Sequence, residues 1–473
     1  MNVRVLVTAV ALAASQVSSS LVSDLHWPQF RGPNGSGVAE NQKPPTEFGP
    51  GTNEVFKIKV PEGASSPCIV GDRLFLTGYD GGKLLTLCYS ARDGKLLWQR
   101  EAPFEKLEAF YRGEGSPAAS TPATDGKQVY SYFGSAGVFA YTLAGEKVWE
   151  HKLPTAEHTG DFGTGTSPVV HDGIVVINRD MLKGSHLLAL NAKNGEKVWR
   201  VERPEFFSGW STPVMRKAGE GTEVILAGAQ RIKAYDLKTG TERWSFSGLP
   251  NAVCPTPVLD GEVVYFSGWS PTSKEAPMPK FATLREKQDK NSDGMIGKEE
   301  AEGIVQFLFT TFDVDENGKI EEREWVERMA QMERSVNQAV ALRPTSGNVE
   351  EKDVLWSYTR GLPYVPSSVV YDGKYYMVRD GGMVTCLDAK NGKPYYEQER
   401  LGASGNYYPS PVAADGRIYL CSNDGKMTVL AAGEKPEVLG RAELGERTVT
   451  TPALVHNRIY IRSANHLWCF GKE

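Results

Sequence analysis

Two stretches of the chain carry residue types at a spacing that suits the binding of a hard cation. The first, DKNSDGMIGKEE, places Asp289, Asn291 and Asp293 at its first, third and fifth positions, Gly294 at the sixth and Glu300 at the twelfth. The second, DVDENGKIEERE, repeats the pattern with Asp313, Asp315, Asn317, Gly318 and Glu324. Calcium takes six to eight oxygen ligands at flexible geometry, and alternate side chains of one tight loop supply them. The closing glutamate can bind through both oxygens. At the seventh position Met295 and Lys319 offer backbone carbonyls. Each loop holds three carboxylates, which more than balance a divalent ion. Two calcium ions are therefore expected. Ile296 and Ile320 occupy the eighth position, where paired loops can form a short β-bridge.

Such loops need helices to hold them. The loop starts lie 24 residues apart, which leaves Ala301–Phe312 for one shared helix with an apolar stripe of Ile304, Leu308 and Phe312. Downstream, Glu321–Arg343 lacks Gly and Pro, and Trp325, Met329, Met332 and Val336 recur at helical spacing. The entering helix is poorer, with only Phe281 and Leu284 in two turns. Together these elements predict an EF-hand pair over 271–345.

The rest of the chain reads as a repeat. Its unit is clearest at Ser167–Arg200: Ser-Pro, an apolar run, a turn at Asp172-Gly173, and a second run to Ile177. A third strand follows at His186–Leu190, then a turn at Asn194-Gly195 and a close on Trp199. Short apolar runs bounded by Asp-Gly and Asn-Gly are strands joined by tight turns, so one unit is a four-stranded antiparallel meander. Alone it cannot bury its faces, whereas stacked copies can.

A hydroxyl residue leads each of eight copies: Ser66, Thr121, Ser167, Thr212, Thr256, Ser367, Ser410 and Thr451. The one irregular spacing, Thr256 to Ser367, is a normal period plus about 67 residues, and the calcium loops fall inside it. Trp98, Trp149, Trp199, Trp244 and Trp356 close successive units, with Tyr396 in the sixth, and are expected to pack between neighbouring sheets. The last unit stops after three strands, while Glu54–Val60 is a strand without a sheet. Donating one to the other closes a ring without open edges. The expected fold is all-β: an eight-bladed β-propeller of four-stranded antiparallel blades with a small α-helical insertion in the fifth. The propeller would occupy 27–270 and 346–473.

The strings ALNAKNGEKVW at 189–199, AYDLKTGTERW at 234–244 and CLDAKNGKPYY at 386–396 resemble the pyrroloquinoline quinone (PQQ) repeat. That family includes quinoprotein alcohol dehydrogenases and the BamB-type propellers of outer-membrane assembly. The opening WPQFRGPNG at 27–35 resembles the start of exported bacterial PQQ-like propellers. The resemblance implies the fold, and leaves three functions open: a binding or scaffold protein, a PQQ-dependent alcohol or sugar oxidoreductase, or a BamB-like assembly factor. PQQ is thus a possible cofactor, although none of its clamping residues can be placed here. No catalytic residue is assigned. The disulfide between adjacent cysteines that such dehydrogenases carry cannot form from this sequence.

Composition narrows the classes. The 473 residues include 49 Gly and 28 Pro, a load suited to an all-β repeat protein. Net charge is −5, and residues 281–330 carry 13 acidic against 7 basic side chains, so the remainder is near neutral and no nucleic-acid partner is expected. The first twenty residues, with Arg4 and an apolar run from Val5 to Ala14, resemble a secretory signal. No other run approaches the roughly 18 apolar residues of a membrane span. A periplasmic or secreted monomer with a protein or polysaccharide partner is the expectation. The six cysteines contain no C-x-x-C, and three fall at the small-residue position of the third strand, which suits buried apolar thiols. Nucleotide-loop and G-x-S-x-G nucleophile patterns are absent. The segments before each first strand, among them His158–Thr166 and Phe206–Trp210, would line a central funnel where Asp161, Trp210 and Tyr408 would meet a ligand.

Overall fold

The computed structural model describes residues 26–271 and 278–472. The twenty-residue signal read from the sequence lies outside the described residues. Eight antiparallel sheets stand in a ring, as expected. The unit read at Ser167–Arg200 is the third blade: Val169–His171, Ile174–Arg179, His186–Asn191 and Lys197–Glu202. In the eighth, Ala453–Val455, Arg458–Arg462 and His466–Phe470 are completed by Glu54–Lys59, in the register Lys57↔Trp468 and Ile58↔Leu467. Six blades have four strands. The first gains His26–Trp27 on its inner edge, and the fourth gains Gly347–Asn348 in parallel on its outer edge.

The leading hydroxyls explain themselves. The backbone N–H of each donates to the hydroxyl of the next: Ser66 to Thr121 (2.9 Å), Thr121 to Ser167 (3.0 Å), Ser167 to Thr212 (3.1 Å) and Thr212 to Thr256 (3.3 Å). The series continues from Thr256 to Ser367 (2.9 Å), Ser367 to Ser410 (3.0 Å), Ser410 to Thr451 (3.0 Å), and Thr451 back to Ser66 (2.9 Å). Eight buried N–H groups that the first strands leave unpaired are thus satisfied in one closed circle. Only a small side chain with an acceptor oxygen fits each place.

Between blades the closing tryptophans act as bolts. The indole N–H of Trp98, Trp149, Trp199 and Trp356 donates to Leu143, Ala192, Leu237 and Ala389 carbonyls of the following blade, at 2.8–3.1 Å. Each ring lies on that blade's turn glycine (Gly145, Gly195, Gly240, Gly392), where a Cβ would come within 2.5–2.8 Å of the indole. These glycines also have positive φ, so a side chain is excluded twice. Trp244 departs from the rule because the fifth blade replaces its tight turn with the long segment 343–353. Its N–H goes to Glu223 instead, at 3.1 Å, a carboxylate held by Arg216.

The N-terminal segment crosses the axis on the side of the first hairpin turns. Trp27 pairs with Ile69, Pro28 accepts from Thr124, Asn34 exchanges hydrogen bonds with Met215, and Val38 bridges Ala413. It touches the first strands of four blades. Arg31, fully buried, reaches the Ser368 carbonyl of a further blade at 2.5 Å. Burial without a facing carboxylate pulls its guanidinium down to about 9.

Two sequence boundaries need correction. The fifth blade uses Val258–Asp260, Val263–Gly268, Gln338–Leu342 and Val354–Tyr358. The sequence pattern places Gln338–Leu342 in the insertion (271–345), at the end of a long helix. The helix α4, Glu322–Glu333, stops earlier, and the strand pairs Val264↔Leu342 and Ala341↔Trp356. Ala339, Val340, Ala341 and Leu342 are buried between two blades, so a continuous apolar run suits a strand as well as a helix there. The neck of the insertion is closed by Ser270 and Asn337, which exchange hydrogen bonds at 3.0 and 2.8 Å.

Candidate metal centre and funnel face

The insertion holds a core of its own. Helix α1 is Phe281–Gln288; the expected shared helix is two single turns, α2 (Ile304–Phe307) and α3 (Phe309–Phe312), broken at Leu308. The helical path begins only after Gly303 at φ 59°, which shifts the buried stripe from Ile304–Leu308–Phe312 to Val305, Phe309 and Phe312. Ile304 is left exposed. Phe312 stacks on Trp325 of α4 with ring centroids 4.2 Å apart, and Phe281 and Leu284 close the cluster. Of the downstream stripe, Trp325, Met329 and Met332 join this core, while Val336 lies beyond the helix and is exposed.

The two twelve-residue loops are joined by the short bridge Ile296↔Ile320. Their internal hydrogen bonds match. In the first, the Gly294 N–H donates to Asp289 Oδ2 (2.9 Å), while Glu300 accepts from Lys290, Asn291 and Gly297 N–H at 2.8–3.0 Å. Asn291 and Asp293 accept from Asp293 and Met295 N–H. In the second, Gly318 donates to Asp313 Oδ2 (3.2 Å), and Glu324 accepts from Val314, Asp315 and Glu321 at 2.8–3.1 Å. Asp315 and Asn317 accept from Asn317 and Lys319 N–H. Each closing glutamate is thus drawn inward onto the start of its loop.

The residues fit a hard cation best in the second loop. Carboxylate oxygens of Asp313, Asp315 and Glu324 lie within 4.8 Å of one another. Asp313 is 8% exposed, and its Oδ1 has no hydrogen-bond partner. Burial, with Glu324 and Asp315 close by, pushes its carboxyl above the usual range. Like charges held together around an unpaired oxygen favour a cation. In the first loop the Asp293 carboxylate instead receives the Lys319 ammonium at 2.7 Å, and this pair holds its carboxyl low.

The insertion leaves between the second and third strands of the fifth blade. It therefore lies on the same face as the loops that join one blade to the next. Phe307 packs edge-on to Phe162 (6.0 Å), which also meets Tyr111 and Trp210. Trp210 is spent on packing: its N–H donates to the Gly163 carbonyl at 2.9 Å. Asp161 sits in a tight turn at positive φ. Tyr408 lines an open cleft of about 630 Å³ with Glu114, Asp424, Glu443, Glu446 and Arg447. Four carboxylates to one guanidinium do not fit PQQ, a tricarboxylate. A larger cleft, about 970 Å³, opens on the opposite face around Lys43, Arg92 and Arg458.

Beneath the funnel face lies a buried group that the sequence did not reveal. Glu108, 2% exposed, accepts from the Thr164 N–H (3.0 Å) and hydroxyl (2.6 Å). Burial outweighs those bonds and pushes its carboxyl up to about 7, while neighbouring His158 is driven down to about 3 by burial. All six cysteines are unpaired, and burial raises the five thiols at 68, 88, 386, 421 and 469 as well as that at 254. This agrees with their reading as small apolar residues.

Ring, bolts and leading hydroxyls define an eight-bladed propeller of PQQ-like repeats. Comparison with known proteins assigns the family. A family model described as outer membrane protein assembly factor BamB matches residues 51–177, 161–273 and 329–473, and the chain belongs to this PQQ-like, BamB-type propeller family. Among curated relatives, the serine/threonine-protein kinase AfsK of Streptomyces griseus is 30% identical over 131 residues, 26% of this chain and 15% of that protein. BamB of Bordetella pertussis is 25% identical over 207 residues, 42% of this chain. The matches thus span less than half of either relative, 46% in the case of BamB. Similar folds include BamB from Moraxella catarrhalis (TM-score 0.54, 13% identity, 89% of this chain and 97% of that one). A europium-containing methanol dehydrogenase is also similar (0.59, 12%, 93% and 90%). So is the quinohemoprotein alcohol dehydrogenase of Comamonas testosteroni (0.55, 12%, 95% and 81%). At these identities the likeness concerns the fold alone.

Proposed function

We propose that this protein is an exported calcium-binding propeller that works as a binding or scaffold protein, with calcium held in an EF-hand pair. The ligands are Asp289, Asn291, Asp293, the Met295 carbonyl and Glu300 in one loop. In the other they are Asp313, Asp315, Asn317, the Lys319 carbonyl and Glu324. The observation that carries this reading is the unpartnered Asp313 Oδ1, on a buried carboxylate that clusters with those of Asp315 and Glu324. A carboxylate oxygen kept from water needs a partner, and a divalent cation among three carboxylates supplies one. Calcium would tie the helical insertion into a rigid body on the funnel face, where a protein or polysaccharide partner would meet it.

Calorimetric titration of the full chain with calcium tests the reading. Saturable heat that falls when Glu300→Gln and Glu324→Gln are combined supports it, and a wild-type protein that binds no calcium overturns it. The family match favours a second reading, a role like that named for BamB in outer-membrane protein assembly. Co-purification with outer-membrane assembly components would support it. Dye-linked alcohol oxidation appearing on addition of PQQ would displace both.

A further inference from the structure

The two loops are near copies in sequence, yet their surroundings differ. Among the described residues, the polar contacts that fasten the insertion to the loops of the second to fourth blades come from the second half. Thr311 meets the Thr159 hydroxyl at 3.3 Å, and the Met332 carbonyl accepts from Asn251 at 3.0 Å. The Val336 N–H donates to Leu249 at 3.0 Å, and the Ser335 hydroxyl accepts from Asn251 N–H at 3.1 Å. Gln331 accepts from Gln230, and Glu316, inside the second loop, pairs with Lys183. Arg328 lies over the Phe207 ring at 4.9 Å and donates to Thr311 at 2.9 Å. Among the described residues, the first loop has contacts of this kind only within the insertion.

One of those contacts crosses from loop to loop. Lys319 belongs to the second loop, but its ammonium lies 2.7 Å from Asp293 Oδ2, the fifth-position ligand of the first. In the second loop the fifth position is the neutral Asn317, bonded to Asp315 and to the Lys319 N–H. The ammonium offsets one of three negative charges in the first loop and points away from the second. The backbone carbonyl of the same residue is the seventh-position ligand that the second loop would offer.

We propose that Lys319 makes the pair unequal: the second loop is the tight calcium site that pins the insertion to the propeller, and the first is a weaker site restrained by the lysine ammonium. The proposal rests on the calcium reading above. Affinity in such loops follows ligand charge count and rigidity. The carboxylate counts are equal, so the Lys319 charge on Asp293 and the second half's contacts to the propeller are what favour the second loop. Filling the second loop also fixes the backbone from which Lys319 projects, so the state of one site sets the position of a cation at the other.

The test is calorimetric titration of the full chain with calcium alone, repeated for Lys319→Gln, Glu300→Gln and Glu324→Gln. The wild type should show two unequal steps, with Glu300→Gln removing the weaker and Glu324→Gln the tighter. Lys319→Gln should tighten the weaker step by about three- to tenfold, as expected for removing one positive charge near a divalent ion at a solvent-facing site. Two equal steps, or a weaker step that Lys319→Gln leaves unmoved, would overturn the inequality while leaving calcium binding standing. Absence of any calcium heat in the wild type would instead remove the underlying reading, and this proposal with it. Terbium luminescence, sensitised by Trp325 beside the second loop, reports the tighter site separately. Its signal should survive Glu300→Gln, and its loss in that variant would assign the tight site to the wrong loop.

Discussion

The propeller and its insertion are held by opposite strategies. In the propeller, the same few contacts recur around the ring: a hydroxyl circle at the axis, indole bolts farther out, and a donated strand at the seam. Each blade has two neighbours to bury its faces. In the insertion, a nine-residue apolar cluster stands alone, and a carboxylate oxygen is buried without a partner. A core so small usually requires a metal or a disulfide. The propeller is self-sufficient through repetition, whereas the proposed calcium would complete the insertion.

The contrast predicts different responses to damage. The largest effect belongs to a bolt: Trp199→Ala should destabilise the propeller by about 3–5 kcal/mol, read from denaturant unfolding followed by far-ultraviolet circular dichroism. It leaves the Leu237 carbonyl unpaired and opens the seam above Gly240. Calcium titration of this variant should still show binding if the variant is folded. A smaller loss is expected from the ring. Thr212→Val keeps shape but strands the Ser167 N–H, at a cost of about 1–3 kcal/mol in the same assay. A loss no greater than that of an exposed Thr→Val control would deprive the hydroxyl circle of its role.

Removing calcium with a chelator should spare the propeller and loosen the insertion. Limited proteolysis should then cut within 278–337 while the blades persist as a resistant core. Uniform resistance with and without calcium would break the contrast between the two regions. The smallest effect concerns Glu108. Its folded value, about 7, lies above the ordinary 4.5. Its contribution to stability is therefore full below pH 4.5 and is lost as pH rises through 7. Glu108→Gln should flatten that decline and leave the protein relatively more stable at pH 8, with little change near pH 4. An unaltered pH profile of the melting temperature would show that the carboxyl ionises freely.

What could be read from the chain was whatever lies close together along it. The repeat was legible because Ser-Pro or Thr-Pro, Asp-Gly and Asn-Gly mark hairpins locally, and the lone strand at Glu54–Lys59 had an obvious vacancy to fill. The loop residues were legible because each loop is twelve consecutive positions. Gln338–Leu342 was misread because a short apolar run looks alike as a buried strand or the tail of a helix. Its pairing with Val263–Gly268 spans the whole insertion. Beyond reach also were Arg31 at Ser368, Phe307 on Phe162, and the Lys319–Asp293 pair, all contacts between distant or opposed segments. The hydroxyl at the head of every unit was visible, but its purpose was not. Each one serves the blade before it.

In the proposed reading, calcium at the second loop completes the insertion. Calorimetric titration of the full chain, wild type beside Glu324→Gln, addresses it most directly. The wild type should show a tight calcium step that disappears in the variant, while the far-ultraviolet signal of the propeller is retained. A tight step that persists in Glu324→Gln, or no calcium binding by the wild type, would contradict it.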